Sequence, residues 1–317
     1  MKFLVTGGAG FIGSHITQRL LKEGNFVRIL DNFSSGKQSN IDAATAGIDP
    51  KQYEVLKGDI QDAAICDKAC AGMDYVLHQA ALRSVPKSMV DPLSYNHVNI
   101  DGTFFLLQAS LKHKVKRFVF ASSSSVYGDT DKFPQQEDAL PLLISPYALS
   151  KLANEYYCRI FTNAWGLETV GLRYFNVFGP RQALDDEYAV VIPKFIHCIL
   201  HDEQPPIFGN GKQSRDFTFI DNVVDANIAA ATTPGIKHEV FNVANGKDNT
   251  ILQLVDSLNK IIGKKIEPKF LPVRAGDVFK TCADVSKIKA KLGFQGKVDF
   301  EEGLRSTVEF FKGVYKK

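Results

Sequence analysis

The segment Val5-Thr6-Gly7-Gly8-Ala9-Gly10-Phe11-Ile12-Gly13 restricts the possible folds more than any other stretch of this 317-residue chain. Lys2–Thr6 reads as a buried strand, and Phe11, Ile12, Ile16, Leu20 and Leu21 recur at helical spacing. The glycines therefore occupy a strand-to-helix turn, where they permit a sharp bend, close approach of a ligand to the backbone, and tight packing of helix on sheet. Unpaired N–H groups and the dipole at the start of such a helix favour an anion, which a dinucleotide pyrophosphate would supply. A purely structural turn is the competing reading of an isolated glycine triplet.

Asp31 closes the next strand pattern, 18 residues past Gly13. A carboxylate there can accept hydrogen bonds from ribose hydroxyls and repels a 2′-phosphate, which favours NAD over NADP. Further strand patterns at Phe26–Asp31, Glu54–Asp59, Tyr75–Ala80 and Arg117–Ser123 alternate with helical ones at Phe11–Glu23, near Ala63–Ala71 and at Asn96–Lys112. A helix over Pro146–Trp165 and a strand over Glu168–Asn176 extend the series. The strands are nearly continuously apolar, as expected of a parallel sheet covered on both faces. The fold class is therefore α/β, a Rossmann-type doubly wound parallel sheet.

Beyond about residue 180 the alternation breaks. A helix at 190–201, a segment punctuated by Pro205-Pro206 and Gly209-Asn210-Gly211, a helix near Asn222–Ala231, a short strand Val240–Val243 and two more helical stretches follow. The chain is also longer than one core usually serves. The expected organisation is a dinucleotide-binding domain over 1–180, to which part of about 215–245 returns, and a smaller, discontinuous α/β domain over 181–317.

Apolar residues make up 44% and charged residues 23% of the chain, values of a folded globular protein, and no apolar run approaches the ~18–20 residues of a membrane span. With a formal charge of +3 and no long basic block, nucleic acid is not an expected partner. Five cysteines at irregular spacing, and a strand pattern starting at Lys2 with no signal-peptide pattern before it, lead to the expectation of a reducing cytoplasm. His197 and His201 have the i, i+4 spacing of a zinc site, but no glutamate follows the first histidine and no third ligand is evident. Cys66 and Cys70 lack a second pair. Both patterns read as ordinary packing or surface, and no metal is expected.

Tyr147 and Lys151 are four residues apart, on one face of a helix. A phenol is a poor base at neutral pH, but a nearby ammonium stabilises the phenolate and lowers its pKa. Tyr-x-x-x-Lys is common by itself and usually a surface contact. Here it follows Ala121-Ser122-Ser123-Ser124-Ser125-Val126-Tyr127-Gly128, at the C-terminal end of the fifth strand pattern, the edge where open α/β sheets bind ligands. A hydroxyl there can hold a substrate hydroxyl whose proton the tyrosinate takes.

In these motifs the chain resembles the extended short-chain dehydrogenase/reductase family and, within it, the nucleotide-sugar 4-epimerases. The likeness runs almost the whole length, through Arg173-Tyr174-Phe175-Asn176-Val177-Phe178-Gly179-Pro180, Arg215-Asp216-Phe217 and Arg274-Ala275-Gly276-Asp277. The resemblance implies catalysis by Ser123, with Ser124 as the alternative hydroxyl, Tyr147 and Lys151. The cofactor residues it implies are Gly7, Gly10, Phe11, Ile12, Gly13, Asp31, Asn32, Asp59, Ile60, Gln79, Ala80, Ala81, Asn99, Tyr147, Lys151, Tyr174 and Val177. For a UDP-sugar it implies Ser84, Ser123, Ser124, Asn176, Val190, Lys194, Arg215, Arg274, Asp277 and Thr281. Arginine forks at 215 and 274 match phosphate oxygens, and Asp277 is placed on the uridine ribose.

The implied reaction oxidises C4, lets the 4-keto sugar turn about its diphosphate linkage and returns hydride to the other face, so NAD is regenerated and stays bound. Related dehydratases carry an acid beside the strand-end hydroxyl and decarboxylases a glutamate nearby. Ser123-Ser124-Ser125 offers neither. The residue four past the aspartate of Arg-x-Gly-Asp, here Thr281, lies by the C2 substituent in the family, and its small size fits an N-acetyl group. With Leu82-Arg83-Ser84-Val85-Pro86 this points to UDP-N-acetylglucosamine and its galacto epimer, together with the non-acetylated pair. The alternative is a UDP-glucuronate or UDP-N-acetylglucosaminuronate substrate, its carboxylate facing Arg83. A 4,6-dehydratase and a non-catalytic NAD sensor are the remaining readings. Relatives dimerise through the helix carrying Tyr147 and the one before it, so a homodimer joined by a four-helix bundle is expected.

Overall fold

The structure, a computed structural model, describes residues 1–183, 191–273 and 278–315. Seven strands, β1 (Lys2–Thr6), β2 (Phe26–Asp31), β3 (Tyr53–Lys57), β4 (Tyr75–His78), β5 (Arg117–Ser123), β6 (Glu168–Tyr174) and a last strand His238–Val243, form one parallel sheet. Their order is β3-β2-β1-β4-β5-β6 followed by His238–Val243. Successive side chains of a strand point to opposite faces, and here each face has its own core. Phe3, Val5, Ile29, Leu77 and Val119 pack on one side, with Ile16 and Leu20 of helix α1 (Phe11–Lys22) and Val223 of helix Ile220–Thr232. Leu4, Leu30, Val76, Phe118 and Phe120 pack on the other, against helices Ala63–Cys70, Gly102–Lys112 and Pro146–Trp165.

Burial on both faces holds for the central strands but not for β3. It is the edge of the sheet, and its Val55 is 41% exposed. Strand ends also differ from the sequence reading, for local reasons. β4 stops at His78 rather than Ala80, because the Ala80 N–H turns to the side-chain oxygen of Thr6 at 3.2 Å instead of continuing the ladder. β6 stops at Tyr174 rather than Asn176, whose φ of +33° is incompatible with a strand.

Several helices depart from expectation. The stretch expected as one helix over Asn96–Lys112 opens with a wide turn over Asn96–Asp101 before Gly102–Lys112. Two short helices, Val85–Val90 and Pro92–Tyr95, precede it, each capped by the side chain before it, Ser84 or Asp91, with a proline in its first turn. Gln38–Thr45 is helical although it buries only Ile41 and Ala44, too few to show a period. After His238–Val243 come, among the described residues, three helices rather than two: Ile251–Ile262, Ser286–Leu292 and Phe300–Tyr315. The lysine-rich Ser286–Leu292 buries only Ile288 and Leu292.

β1 pairs with β2 on one side and β4 on the other, so the sheet order reverses beside β1. A crevice at the C-terminal ends of the strands is expected at such a switch point. Among the described residues no helix is long and apolar enough to cross a membrane.

Candidate active site

Steric demand explains the glycine turn. Gly7 has φ +67°, and a Cβ on it would lie 2.7 Å from the Ala80 nitrogen. A Cβ on Gly13 would lie 2.2 Å from the Gly7 carbonyl oxygen, so α1 starts closer to the turn than any side chain allows. Gly10 is the N-cap of α1 and no side chain caps that end, which leaves the first-turn amides of Phe11, Ile12 and Gly13 for an anion. Asp31 is 8% exposed and accepts the Ala9 N–H at 2.9 Å and the Phe33 N–H at 2.8 Å. A carboxylate retains further acceptor positions for ribose hydroxyls. Beside it, exposed Asn32 donates to Asp59 at 2.8 Å. Burial works to raise the Asp59 carboxyl, but hydrogen bonds from Gln61 and Asn32 outweigh it and hold the group below its ordinary value. Ile60, also buried, fills the space over Gly102. A cradle closed to any Cβ, an uncapped helix start and a buried strand-end carboxylate fit a dinucleotide without a 2′-phosphate.

Past β4 the polar groups are largely tied to one another. Thr6 Oγ1 lies 2.6 Å from His78 Nδ1, and His78 Nε2 lies 3.0 Å from Thr103 Oγ1, which donates to the Asn99 carbonyl at 2.6 Å. Burial lowers the His78 pKa to about 3, so the imidazole is neutral. Asn99 accepts from Leu82 N–H at 2.8 Å and donates to the Leu82 carbonyl and to Ser150, both at 3.0 Å, fixing the Ala80–Ser84 loop to helix Pro146–Trp165. Gln79, Tyr174 and Asn227 close a ring of three hydrogen bonds of 2.8–3.0 Å. The polar ends of Gln79, Asn99 and Tyr174 thus shape the crevice wall, while Ala80, Ala81 and Val177 are partly open. Asn227, Thr103 and His78 belong to this support and were not singled out in the sequence.

Ser123 and Ser122 show strand alternation at work. Ser122 donates to Glu155 at 2.6 Å, and Glu155 is gripped in a two-point contact by Arg173 at 2.9 and 2.7 Å, all three buried. Ser123 points the other way, donates to Ser125 Oγ and accepts the Ser125 N–H, both at 3.1 Å, and hydrogen-bonds the Tyr147 phenol. Ser124 is half-buried in the following 3₁₀ turn, Ser124–Tyr127. Helix Pro146–Trp165 starts at the Ser145 cap, so Tyr147 stands in its first turn and Lys151 one turn on. Lys151 is 5% exposed, donates to the Ala121 carbonyl at 2.8 Å, and lies 5.9 Å from the Tyr147 ring centre. Burial depresses Lys151 to about 8. The expected lowering of the tyrosine is not what the structure shows. Burial raises the Tyr147 phenol, against the opposing effects of the Ser123 hydrogen bond and the Arg83 charge.

A second wall comes from distant segments. Asn176 donates to Thr281 Oγ1 at 3.0 Å and to the Asp216 carbonyl at 3.3 Å, and the Asp216 N–H also donates to Thr281 Oγ1, at 3.2 Å. The Asp216 carboxylate accepts the N–H groups of Asn245, Gly246 and Ala283 at 3.0, 3.0 and 3.2 Å, yet its burial pushes it up to about 7. This carboxylate organises the wall and was visible in the sequence only as the middle residue of Arg215-Asp216-Phe217. Arg215 donates to the Ser214 and Phe279 carbonyls at 2.9 and 3.2 Å. Ser84 caps Val85–Val90 by accepting the Lys87 N–H at 3.2 Å, and Lys194 is exposed on helix Val191–Leu200. Val190, Arg274 and Asp277 lie outside the described residues.

A glycine cradle at the switch point, with a strand-end serine facing a tyrosine and lysine one turn apart, defines a Rossmann-type dinucleotide-binding protein of the short-chain dehydrogenase/reductase class. The sequence model of the NAD dependent epimerase/dehydratase family matches residues 3–244, and the chain belongs to that family. NAD is the family's cofactor. The UDP-glucose 4-epimerase of Mycolicibacterium smegmatis is 36% identical over 314 residues, covering 98% of this chain and 99% of the relative. A solved UDP-N-acetylglucosamine 4-epimerase from Methanobrevibacter ruminantium M1, in complex with UDP-N-acetylmuramic acid, is 42% identical with a TM-score of 0.93, covering 99% of this chain and 98% of that one. The UDP-glucuronic acid 4-epimerase of Bacillus cereus, in complex with UDP-glucuronic acid and NAD, is 34% identical with a TM-score of 0.91, covering 99% and 100%.

Proposed function

We propose that the protein is an NAD-dependent UDP-hexose 4-epimerase that interconverts UDP-N-acetylglucosamine and UDP-N-acetylgalactosamine, and with them UDP-glucose and UDP-galactose, through a 4-keto sugar. The observation that carries epimerisation is the setting of Ser123. Its neighbour Ser125 is a hydroxyl, and Glu155, the buried carboxylate behind the strand end, is held by Arg173 and Ser122. Neither can serve as the extra acid that loss of water or carbon dioxide requires.

Gly7, Gly10 and Gly13 would hold the pyrophosphate against the start of α1, and Asp31 the adenosine ribose. Bound NAD supplies the hydride acceptor, and later the donor, for C4 of the sugar. Ser123 orients the C4 hydroxyl and Tyr147 takes its proton, returning it once the keto sugar has presented its other face. The Ser123 hydrogen bond and the Arg83 charge ease loss of the phenol proton against burial, and Lys151 adds a second cation nearby. Asn176, Arg215 and Arg274 are assigned to the diphosphate, Asp277 to the uridine ribose, Lys194 and Val190 to the nucleotide, and Ser84 and Ser124 to the sugar. Thr281, small and with its hydroxyl engaged, leaves room at C2 for an N-acetyl group. Residues 1–180 with part of 215–245 would hold the cofactor and 181–317 the UDP-sugar.

Arg83 favours one alternative. Its charge is felt at Tyr147, so a uronate carboxylate would find a cation beside the site. Incubating the purified protein with UDP-N-acetylglucosamine, without added NAD, and following the anomeric proton by NMR tests the assignment. Appearance of the galacto signal is the expected result. Turnover of UDP-glucuronate alone would move the assignment to the uronate.

Met89, Leu149, Tyr156 and Ile160 are 61%, 54%, 55% and 49% exposed, on helices Val85–Val90 and Pro146–Trp165. A second copy would cover this apolar surface, pairing helix Pro146–Trp165 and the preceding Gly102–Lys112 with their counterparts in a four-helix bundle, giving a homodimer by light scattering.

A further inference from the structure

Helix Val191–Leu200 ends by folding back on itself. His201 and Glu203 both donate backbone N–H groups to the Cys198 carbonyl, at 3.1 and 2.8 Å, with Asp202 between them at φ +59°. That left-handed residue returns Glu203 to the last helical turn, where ligand-capable atoms of His197, Cys198 and Glu203 all lie within 4.8 Å of one another. The i, i+4 histidine pair offered no third ligand in the sequence; the turn instead brings a carboxylate to His197 and to the Cys198 thiol of the same helix. His201 stacks on the His197 ring at 4.3 Å and points its Nδ1 to the His197 carbonyl at 2.8 Å. His197 Nδ1 is buried and has no hydrogen-bond partner among the described residues.

We propose that His197, Cys198 and Glu203 form a binding site for a zinc-like divalent cation, apart from the residues assigned to NAD and the UDP-sugar. A thiolate, an imidazole and a carboxylate form a mixed S, N, O donor set suited to a borderline-soft ion, leaving a fourth position for water. Bonds of about 2.0–2.3 Å in a tetrahedral site put donor atoms roughly 3.3–3.8 Å apart, so closure asks for a movement of about 1 Å. Glu203 is exposed and can make it, while Cys198 is 2% exposed and fixed in the core. On binding, the Cys198 thiol releases its proton to solvent and nothing is oxidised. Lys194 is the cation whose charge reaches His197 and Cys198, but it is exposed and screened by solvent, and the Lys264 ammonium is held by Asp202 and the Leu200 carbonyl, both at 2.8 Å. Tyr315 packs its ring 5.3 Å from His197 and 5.0 Å from His201, so a bound ion would clamp this turn against helix Phe300–Tyr315.

Titration of the full-length, NAD-containing protein with Co²⁺, after chelator treatment and buffer exchange, tests the site. The expected result is one equivalent bound, with a thiolate-to-cobalt charge-transfer band and tetrahedral ligand-field bands, both displaced by Zn²⁺. Cys198→Ser should abolish the charge-transfer band and Cys282→Ser should leave it. Glu203→Gln, a change on the exposed turn that does not touch the core, should weaken Co²⁺ binding at least about tenfold. A wild-type protein without the band, a band surviving Cys198→Ser, or unchanged affinity in Glu203→Gln overturns the proposal.

Discussion

The two walls of the crevice are built in opposite ways. The Gly7–Gly13 turn is one continuous segment whose geometry is dictated by backbone contacts within it and with Ala80. The wall around Asn176, Asp216 and Thr281 joins segments 105 positions apart at its extremes through side chains and buried polar groups. A local steric rule governs the first and a long-range hydrogen-bond network the second. Substitutions in the first should therefore act through shape, and those in the second through lost partners and orientation of the substrate.

Between the walls stands the chemistry, where the largest effect is expected. Tyr147→Phe removes the proton acceptor but leaves the ring packed at right angles to Tyr95, 6.3 Å away. Steady-state turnover should fall by about 10²–10⁴, with NAD content by absorbance unchanged. A variant that turns over normally would remove Tyr147 from the role of proton acceptor, whereas no turnover in either wild type or variant, with NAD retained, would leave a cofactor-binding protein. Gly13→Ala comes next. Its Cβ has no room against Gly7, and overpacking of this kind costs about 1–3 kcal/mol, with loss of copurified NAD. Retained NAD at unchanged thermal stability would show that the turn is not sterically fixed.

Thr281→Val tests the other wall. The valine keeps the volume but strips the acceptor from the Asn176 side chain and the Asp216 N–H, an expected loss of about 1–3 kcal/mol in unfolding free energy. Because Asn176 then loses its orientation, KM for the UDP-sugar should rise while NAD retention is unchanged. Equal damage to both would mean that the two walls are one cooperative unit.

How much of this could be read in advance follows the same division. The glycines, Asp31 and the ends of β1, β2 and β5 were legible because strand period and steric demand are local properties. Strand alternation separates Ser122 from Ser123, but the choice between Ser123 and Ser124 lay beyond it, because β5 ends at Ser123 and Ser124 enters the following turn. The Thr6–His78–Thr103 chain and the Gln79–Tyr174–Asn227 ring were not legible. Their members are separated by up to 148 positions, and each alone is an ordinary core residue. Asp216 gave only a weak signal, a carboxylate directly before Phe217-Thr218-Phe219 that a chain would bury only with donors waiting. Glu203 gave none, because its place beside Cys198 depends on one left-handed residue.

The smallest predicted effect per step of pH sets the two walls directly against each other. His78, beside the first wall, is lowered from 6.5 to about 3 by burial, so its contribution is present above pH 6.5 and is lost as pH falls through about 3. Asp216, in the second, is raised from 3.8 to about 7 by burial, so its contribution is present below pH 3.8 and is lost as pH rises through about 7. Between pH 3.8 and 6.5 the slopes oppose, each approaching about 1.4 kcal/mol per pH unit. In Asp216→Asn the carboxylate no longer titrates, and urea-unfolding free energy measured across that window should fall on acidification more steeply than in the wild type. In His78→Gln the sign should reverse, with stability rising as the pH drops. Both variants lose hydrogen bonds and start from a lower baseline, so the slope is the quantity to compare. Parallel slopes in all three proteins would mean that neither buried group titrates differently on folding, and that the walls differ only in how they are assembled.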